Sequence, residues 1–258
     1  MSAIEQEADG RRWLAFAVLC AVQLMILIDT SIVSVALRTI QEDLGFSQSG
    51  LAWTTNAYTI AFGGLLLLSG RLGDLMGRKR MFLAGVVLFT SASFLCGVSR
   101  TQGLFITGRL LQGIGAAMAA AVVMGIVITL FRKPAEIAKA IGAFSFVAAA
   151  GGSIGVLAGG VLTESISWHW IFFVNVPIGI AATVFAIPLI DDDRGPGLRE
   201  GADWLGAALV TGGLMLGVYT MVRSPSTAGV RPTRWASAPC RASCWAPSSC
   251  ARPPPPTP

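Results

Sequence analysis

The sequence predicts an all-α membrane protein, and three of its features support that fold class. Hydrophobic residues make up 53% of the 258 residues and charged residues only 13%, which gives a mean hydropathy of +0.67. Seven apolar runs approach the length of about 20 residues that a helix needs to cross a bilayer. Glycine occurs 30 times, and small residues let membrane helices pack closely. A water-soluble fold of this size would carry more charge.

The seven predicted spans are separated by charged or polar connections. Residues 1–12 form a polar N-terminal segment, and the span after it is too long for a cleavable signal peptide. An aspartate-rich loop, 191–202, precedes the seventh span, where Asp203 is expected to cap the helix. The predicted spans are 13–37, 51–69, 81–98, 103–131, 137–162, 168–190 and 203–222.

The basic residues of the connections fall mainly on one side of the membrane. With the N-terminus inside, the inner connections and helix ends hold eleven Lys or Arg residues, whereas the outer ones hold only Arg38 and Arg100. This bias predicts a cytoplasmic N-terminus. Because the cations cluster beside apolar spans, the net charge of +5 does not indicate a nucleic-acid partner. The eleven inner residues are Arg11, Arg12, Arg71, Arg78, Lys79, Arg80, Arg132, Lys133, Lys139, Arg194 and Arg199.

A short basic stretch, residues 70–80, joins the second and third spans with the sequence Gly-Arg-Leu-Gly-Asp-Leu-Met-Gly-Arg-Lys-Arg. We expect it to be an inner loop in which Asp74 lies near the start of a helix, because the helix dipole favours a carboxylate there. Asp74 is expected to contact Arg78 or a neighbouring inner loop. Gly73 and Gly77 are expected to let helices approach tightly.

Two charged residues lie inside predicted spans, where ionised groups are costly. Asp29 lies eight residues from the outer end of the first span, and Arg109 lies six residues from the outer end of the fourth. At 1.5 Å per residue, both are on the order of 10 Å below the outer surface. Because an arginine keeps its proton, Arg109 needs a partner or water, and the equal depth permits an ion pair or a shared polar cavity. The structural alternatives are a hydrated Asp29 near the interface and an outward-snorkelling Arg109.

The fifth span carries a stripe of small residues. Gly151, Gly155 and Gly159 recur every four residues and therefore share one helix face, which Gly152 and Gly160 broaden. Another helix is expected to pack closely against this stripe.

The sixth span opens with Trp168-His169-Trp170 and continues through Asn175 and Pro177. The aromatic residues suit an outer membrane interface. His169 is the sole histidine and has the chemistry of a proton relay, but its interfacial position favours a structural role.

Patterns typical of enzymes and metal sites do not occur in this sequence. Cys20 and Cys96 lie inside apolar spans, and no spacing indicates a metal site or a disulfide. A Ser/His/Asp arrangement, paired carboxylates and a phosphate-binding loop are all missing from the sequence. We therefore expect neither catalysis nor a cofactor.

The composition changes after residue 222. The last 36 residues hold nine of the 13 prolines and five arginines, with no Leu, Ile, Phe, Met or acidic residue. Such a segment cannot bury a core, so residues 223–258 are expected to be disordered. Pro, Ala, Ser and Arg together are typical of a shifted reading frame in GC-rich DNA. We favour this interpretation over a natural proline-rich stalk outside the membrane.

Five segments, in order, resemble motifs of major facilitator superfamily transporters, and the resemblance covers residues 11 to about 222. Two of them are similar to the first-helix and sixth-helix motifs of its fourteen-helix drug:proton antiporter branch, 28–37 and 168–179, and a third resembles the fifth-helix antiporter motif, 151–160. The other two resemble the superfamily's loop between helices 2 and 3 and its fourth-helix motif: 70–80 and 109–117. The chain departs from these patterns at Ser34, Arg38, Leu75 and Val156.

The resemblance implies the six-helix N-terminal half of a major facilitator fold, built from two inverted three-helix repeats over 13–190. A seventh, loosely attached transmembrane helix follows at 203–222. The implied activity is proton-coupled efflux of small apolar or cationic compounds across a bacterial inner membrane. Its partners would be protons, a small-molecule substrate, lipid and a missing C-terminal half, and the proton gradient would supply energy in place of a cofactor. Because alternating access needs two halves, the chain as written is expected to be a truncated, inactive fragment.

The resemblance also implies roles for individual residues. Asp29, Arg109 and Gln112 would serve proton coupling or substrate binding. The cytoplasmic gate would comprise Gly70, Asp74, Gly77, Arg78 and Lys79, and helix packing would involve Gly151, Gly155, Gly159 and Gly160. The alternative function is a membrane scaffold or sensor that kept the half-fold without transport, for which a partner pull-down would give the evidence. An integral-membrane enzyme is disfavoured because the sequence has no catalytic pattern.

The charge bias generates a topology prediction. A cysteine replacing Arg100 is expected to react with a membrane-impermeant thiol reagent added outside intact cells, because position 100 lies in an outer connection. A cysteine replacing Arg78 is expected to be protected from the same reagent. Labelling of position 78 without labelling of position 100 contradicts a cytoplasmic N-terminus.

Overall fold

Eight helices and no strand occur in the residues that the computed structural model describes, which are 3–131, 133–193, 195, 197 and 204–223. The all-α fold class is therefore confirmed. The helices are α1 (Ala3–Leu44), α2 (Gln48–Met76), α3 (Arg78–Gly97), α4 (Gln102–Leu130), α5 (Pro134–Ser165), α6 (Trp170–Phe173), α7 (Asn175–Leu189) and α8 (Trp204–Arg223). Residues 224–258 of the predicted tail, Asp203 and part of the loop 191–202 lie outside the described residues.

Six stretches of the described chain are helical, long and apolar enough to cross a membrane, and they correspond to the first six predicted spans. α6 and α7 form one of these stretches, because the backbone between them stays helical at Val174, with φ −59° and ψ −32°. α1 extends beyond its predicted span at both ends. The described apolar part of α8, Leu209–Thr220, is shorter than the six spans. A membrane crossing by the seventh predicted span therefore stays a prediction.

The second and third spans are joined far more tightly than the predicted loop of eleven residues. α2 continues to Met76 and α3 begins at Arg78, so Gly77 alone links the two helices. Gly77 has a φ of 107°, which residues with a side chain rarely adopt. The predicted loop 70–80 is wrong because this glycine turns the chain within one residue.

Glycines set the distance between α4 and its neighbours. A Cβ atom on Gly85 of α3 would lie 2.5 Å from the Ala119 nitrogen and 2.8 Å from the Gly115 oxygen on α4. A Cβ atom on Gly113 would lie 2.5 Å from the carbonyl oxygen of Tyr58 on α2. Because the opposing atoms belong to the backbone, these contacts require residues without a side chain. α4 is therefore fixed against both α2 and α3.

α1 and α5 pack together along the glycine stripe of the fifth span. A Cβ atom on Gly155 would lie 2.7 Å from the Ser31 side chain, and one on Gly159 would lie 2.7 Å from the Ile32 side chain. Gly151 makes the same kind of contact one turn earlier, against Leu24 and Leu27.

Gly160, which we expected to belong to the packing motif, lies outside this contact. A Cβ atom built on it would have no heavy atom within 4 Å among the described residues. The next residue along a helix is rotated by about 100°, so Gly160 cannot face α1 together with Gly159.

α8 packs against α2, which contradicts our expectation of a loosely attached seventh helix. Met215 of α8 fills the space left by the missing side chain of Gly64, and Val218 lies 3.6 Å from the Cβ position of Gly63. The rings of Trp53 and Tyr219 lie 6.3 Å apart between their centroids. Gly63 and Gly64 of α2 leave a notch that side chains of α8 occupy. The length of an apolar run does not reveal such a notch, which is why the packing of α8 was not predicted.

One end of the bundle collects charged side chains from several connections. Arg11 of α1 pairs with Asp191 at 3.4 Å, and Lys79 of α3 pairs with Asp192 at 3.1 Å. Lys133, before α5, pairs with Glu136 at 3.4 Å. These basic residues belong to the connections that the charge bias assigns to the inner side. Which side of the membrane this end faces stays a prediction.

The α3–α4 contact generates a stability prediction. Gly85→Ala is expected to lower the melting temperature in detergent, because overpacking against immovable backbone costs about 1–3 kcal/mol. Gly142→Ala on α5 is the matched control, since a Cβ atom there has no neighbour within 4 Å. At that position alanine only improves helix propensity. Equal melting temperatures for the two variants contradict the close α3–α4 contact.

Candidate functional site

The two charged residues predicted inside the spans meet within the bundle. Asp29 lies on α1 and Arg109 on α4, and Arg109 Nη1 donates a hydrogen bond to Asp29 Oδ2 at 2.7 Å. The Arg109 side chain is 1% exposed and the Asp29 side chain 0%. The two groups therefore form a direct, buried ion pair, without a water-filled cavity between them.

Gln112 lies one helical turn after Arg109 and contacts both members of the pair. Its Nε2 donates to Asp29 Oδ1 at 3.0 Å, and its Oε1 accepts from Arg109 Nη1 at 2.8 Å. A carboxylate only accepts hydrogen bonds and a guanidinium only donates them, so an amide can serve both at once. α4 supplies this arrangement because residues i and i+3 share a helix face.

Two side chains that the sequence analysis did not assign complete the carboxylate end of the cluster. Asn175, the first residue of α7, donates through Nδ2 to Asp29 Oδ1 at 3.0 Å. Ser93 of α3 accepts from Gln112 Nε2 at 2.7 Å. Both residues are buried, as are the three predicted ones. The cluster therefore connects α1, α3, α4 and α7.

α2 holds the guanidinium group of Arg109 from another side. The ring of Tyr58 lies 4.4 Å from Arg109 Cζ, a cation–π contact that strengthens when it is shielded from water. Arg109 Nε also donates to the carbonyl oxygen of Thr54 at 3.3 Å. Tyr58 and Thr54 are themselves buried. Both flanks of the guanidinium are thus bonded by protein groups.

The electrostatics of this cluster depend on complete pairing. Asp29 accepts three hydrogen bonds, from Arg109, Gln112 and Asn175. Moving one ion from water into a protein interior costs several kcal/mol, so removing either member of the pair leaves the other uncompensated. The complete set of partners therefore compensates both buried charges.

The sequence contains a weak signal for the missed residues. Asn175, Ser93 and Tyr58 are polar residues inside apolar stretches, but hydroxyl groups in membrane helices often bond their own backbone. Thr90, one turn before Ser93, donates to the Val86 carbonyl in this way. Members of the cluster can be distinguished from such residues only by the packing of α3 and α7 around Asp29, which the sequence does not show.

A second polar site lies at the charged end of the bundle, where α2 meets α3. Arg78 Nε and Nη2 donate to Asp74 Oδ1 at 3.0 and 2.9 Å, so the expected contact between these residues is present. Arg78 Nη1 also donates to the Gly125 carbonyl oxygen of α4 at 3.2 Å. Arg78 therefore ties the α2–α3 junction to the end of α4.

Asp74 occupies a different position from the one predicted. It lies in the last turn of α2, which ends at Met76, rather than near the start of a helix. The negative end of the helix dipole disfavours a carboxylate there, and the positive charge of Arg78 offsets that effect. The prediction was wrong because it assumed a long loop, whereas the junction is Gly77 alone.

Asp193 is the residue that caps the start of α3. Its Oδ2 accepts from the Arg78 backbone N–H at 2.9 Å, and its Oδ1 accepts from the Lys79 backbone N–H at 3.1 Å. A carboxylate at this position satisfies two amide groups and complements the positive end of the helix dipole. The side chain of Lys79 pairs with the adjacent Asp192. The aspartate-rich loop after α7 thus holds the α2–α3 junction.

The glycines of the predicted gate motif bring backbone close to neighbouring elements. Gly73 packs against Val122 of α4, and a Cβ atom on Gly70 would lie 3.9 Å from the Ala121 side chain. Gly77 lies against the backbone of Asp193. A side chain at Gly73 or Gly77 would therefore separate α2 from α4 or displace the aspartate loop.

His169 lies at the opposite end of the sixth span from the aspartate loop. Its ring stacks on Trp168 with centroids 3.8 Å apart, and Trp168 Nε1 donates to Asp43 Oδ2 at 3.0 Å. Burial lowers the pKa of His169; Asp43 opposes this shift and Arg100 adds to it. These contacts favour the structural role that the sequence indicated for this residue.

Comparison with known proteins finds a family match and curated relatives. The sequence model of the Major Facilitator Superfamily matches residues 19–241. Puromycin resistance protein pur8 of Streptomyces alboniger is 40% identical over 225 residues, which are 87% of this chain and 44% of that protein. Cephamycin export protein CmcT of Amycolatopsis lactamdurans is 39% identical over 203 residues, which are 78% of this chain and 42% of that protein. The chain therefore spans less than half the length of these curated relatives.

A solved structure shares the fold. The crystal structure of the human organic anion transporter MFSD10 (TETRAN) superposes with a TM-score of 0.63 at 14% sequence identity. The match covers 84% of this chain and 58% of that chain. At this identity the likeness concerns the fold alone, and it agrees with a partial major facilitator architecture.

The cap on α3 generates a second stability prediction. Asp193→Ala is expected to lower the free energy of unfolding by about 1 kcal/mol, the usual cost of losing an N-cap side chain. Asp191→Ala is the matched control, because Asp191 is 89% exposed and pairs only at the surface with Arg11. Such a surface pair contributes little. Thermal unfolding in detergent measures both variants, and a cost for Asp191→Ala as large as that for Asp193→Ala contradicts the capping role.

Proposed function

The chain belongs to the major facilitator superfamily, and on that premise we propose that it forms the N-terminal half of a proton-coupled exporter. The proposed substrates are small apolar or cationic compounds, and the proposed location is a bacterial inner membrane with the N-terminus in the cytoplasm. Two curated relatives are named for puromycin resistance and cephamycin export. These names support export as the direction of transport.

The observation that carries this proposal is the buried pair of Asp29 and Arg109. Both side chains are fully enclosed, and each bonds to several polar groups of the protein. Placing charged side chains inside membrane-spanning segments costs free energy, so their presence at these positions favours a functional role. Arg109 cannot release its proton, so Asp29 is the member of the pair that is able to exchange one.

Proton coupling follows from competition for the Asp29 carboxylate. In the described conformation Arg109 neutralises it at 2.7 Å. We propose that Arg109 withdraws during the transport cycle and that a proton from outside or a cationic substrate from inside then takes its place. The two ligands cannot occupy the carboxylate together, which links inward proton movement to outward substrate movement. Gln112 would hold the carboxylate in place during the exchange, because it bonds both charged groups.

We propose that the second polar site acts as the cytoplasmic gate. Arg78 joins the end of α2 to α4, and Asp193 joins the start of α3 to the end of the sixth span. These bonds all lie at one end of the bundle, so their making and breaking would close and open that end. The gate would be supported by the close packing of Gly70 and Gly77 and by the ion pair of Lys79 with Asp192.

Alternating access needs a second half that rocks against the first. The chain covers 44% of the length of the puromycin resistance protein, so we expect the chain alone to be inactive. The test is therefore a fusion of residues 1–222 to the part of that relative that follows the equivalent position. Everted membrane vesicles containing the fusion are expected to accumulate puromycin when an imposed pH gradient drives transport. The chain alone is expected to accumulate none.

The decisive variant is Asp29→Asn in this fusion. It is expected to lower accumulation driven by the pH gradient at least tenfold, because an amide cannot take up a proton, while puromycin binding is weaker but still measurable. Asp43→Asn is the matched control on the same helix, since an amide oxygen still accepts from Trp168 Nε1. Normal pumping by the Asp29→Asn variant contradicts proton coupling through this residue.

A membrane scaffold or sensor is the second candidate function. Such a protein would retain the half-fold without transport. This function predicts that the chain co-purifies with a specific membrane partner. It also predicts that the fusion fails to accumulate puromycin although it is correctly inserted.

A further inference from the structure

We propose that Asn175 positions the Asp29 carboxylate and transmits its charge state to the sixth span, α6–α7. The inference rests on the proposed function only in assuming that Asp29 exchanges a proton. It concerns a residue that lies on a different helix from both members of the ion pair.

A hydrogen bond joins Asn175 directly to Asp29. Asn175 Nδ2 donates to Asp29 Oδ1 at 3.0 Å, and the Asn175 residue is 1% exposed. Because an ionised carboxylate can only accept, the amide must present its nitrogen to Asp29. No bulk water reaches the contact to replace the bond. The position of Asn175 is therefore coupled to the charge on Asp29.

Asn175 lies where the sixth span is interrupted. The span divides at Val174 into α6 and α7, although the backbone angles stay helical there. Pro177 has no N–H group, so it cannot bond the carbonyl oxygen of Phe173 four residues earlier. The hydrogen-bond ladder of the span is thus interrupted immediately beside Asn175, where the helix bends most easily.

Both flanks of this interruption are anchored against other helices. Before it, Phe172 is fully buried and packs edge-on against Phe105 of α4, with ring centroids 5.5 Å apart. After it, Gly179 lies tightly against Thr90 of α3. A movement of the Asn175 side chain would therefore alter the angle between the two anchored segments of the sixth span. It would not be absorbed as local disorder.

A proton on Asp29 would change the hydrogen bond that Asn175 makes. A protonated carboxyl loses its negative charge, so the charge-assisted bond from Asn175 becomes an ordinary, weaker one. The new O–H group also needs an acceptor. An asparagine carries both an N–H₂ donor and a carbonyl oxygen, so rotation of its amide serves either state of Asp29. Leucine has nearly the same shape and offers neither group.

The test uses the full 258-residue chain in lipid nanodiscs and compares Asn175→Leu with the wild type. Asn56→Leu is the matched control, because Asn56 is the only other asparagine of the chain and lies on α2, outside the cluster. Infrared difference spectroscopy records the protonated-carboxyl band of Asp29 as the pH is lowered. The band is assigned by its loss in Asp29→Asn. If Asn175→Leu does not fold, Asn175→Ala replaces it.

We expect the Asp29 band of the Asn175 variant to appear at a pH about one unit higher than in the wild type, a tenfold change in proton affinity. The reason is that the carboxylate loses one of its three donors. Asn56→Leu is expected to match the wild type. An unchanged midpoint in the Asn175 variant, the same shift in the Asn56 variant, or no Asp29 band in any variant overturns the proposal.

A second readout tests transmission to the sixth span. Asp29→Asn mimics the protonated carboxyl, so amide hydrogen exchange at residues 172–178 is expected to be at least fivefold faster than in the wild type at the same pH. Exchange in the middle of α3 is expected to stay unchanged. Equal exchange at 172–178 in both proteins overturns transmission. Neither the infrared nor the hydrogen-exchange measurement requires export. Failure of the puromycin fusion would therefore contradict the proposed function, whereas these two measurements alone decide the inference about Asn175.

Discussion

The buried ion pair of Asp29 and Arg109 is the interaction on which the rest of the bundle depends. An apolar interior cannot hold a lone charge, because an uncompensated buried ion costs several kcal/mol. In the described conformation α1 and α4 therefore hold the register that keeps the two groups 2.7 Å apart. The amides of Gln112 and Asn175 then bring α3 and α7 to the same point, since each amide needs partners of its own.

Glycines make this register possible. α4 approaches the backbones of α2 and α3 through Gly113 and Gly115, and α5 approaches α1 through Gly155 and Gly159. The close crossing of α3 and α4 brings the short side chain of Ser93 within reach of Gln112, whereas the long side chain of Arg109 reaches Asp29 on α1. The charged end of the bundle is held differently, by carboxylates of the loop after α7 that bond the start of α3. The interior cluster and the end cluster are linked through the sixth span, which contributes Asn175 to the first and leads into Asp193 of the second.

Local signals predicted the first six spans and permitted the ion pair. Apolar run length identifies helices that cross a membrane, and a charge within such a run at matching depth identified Asp29 and Arg109. Contacts between distant residues were missed: Asp193 caps α3 from 114 residues away, and nothing in its own loop indicates this. Helix ends were misplaced where the backbone turns at a point that hydropathy does not mark. At Gly77 a positive φ shortens the predicted loop to one residue. The notch at Gly64 that receives α8 likewise depends on packing between helices.

A double-mutant cycle on the full chain tests the central claim most directly. Unfolding free energies would be measured in detergent for the wild type, Asp29→Asn, Arg109→Met and the double variant. If the pair is buried and mutually compensating, Arg109→Met alone costs about 3–5 kcal/mol, because it leaves the carboxylate uncompensated. The double variant should then recover more than half of that loss. Strictly additive costs for the two substitutions would contradict the claim that these residues stabilise one another inside the bundle.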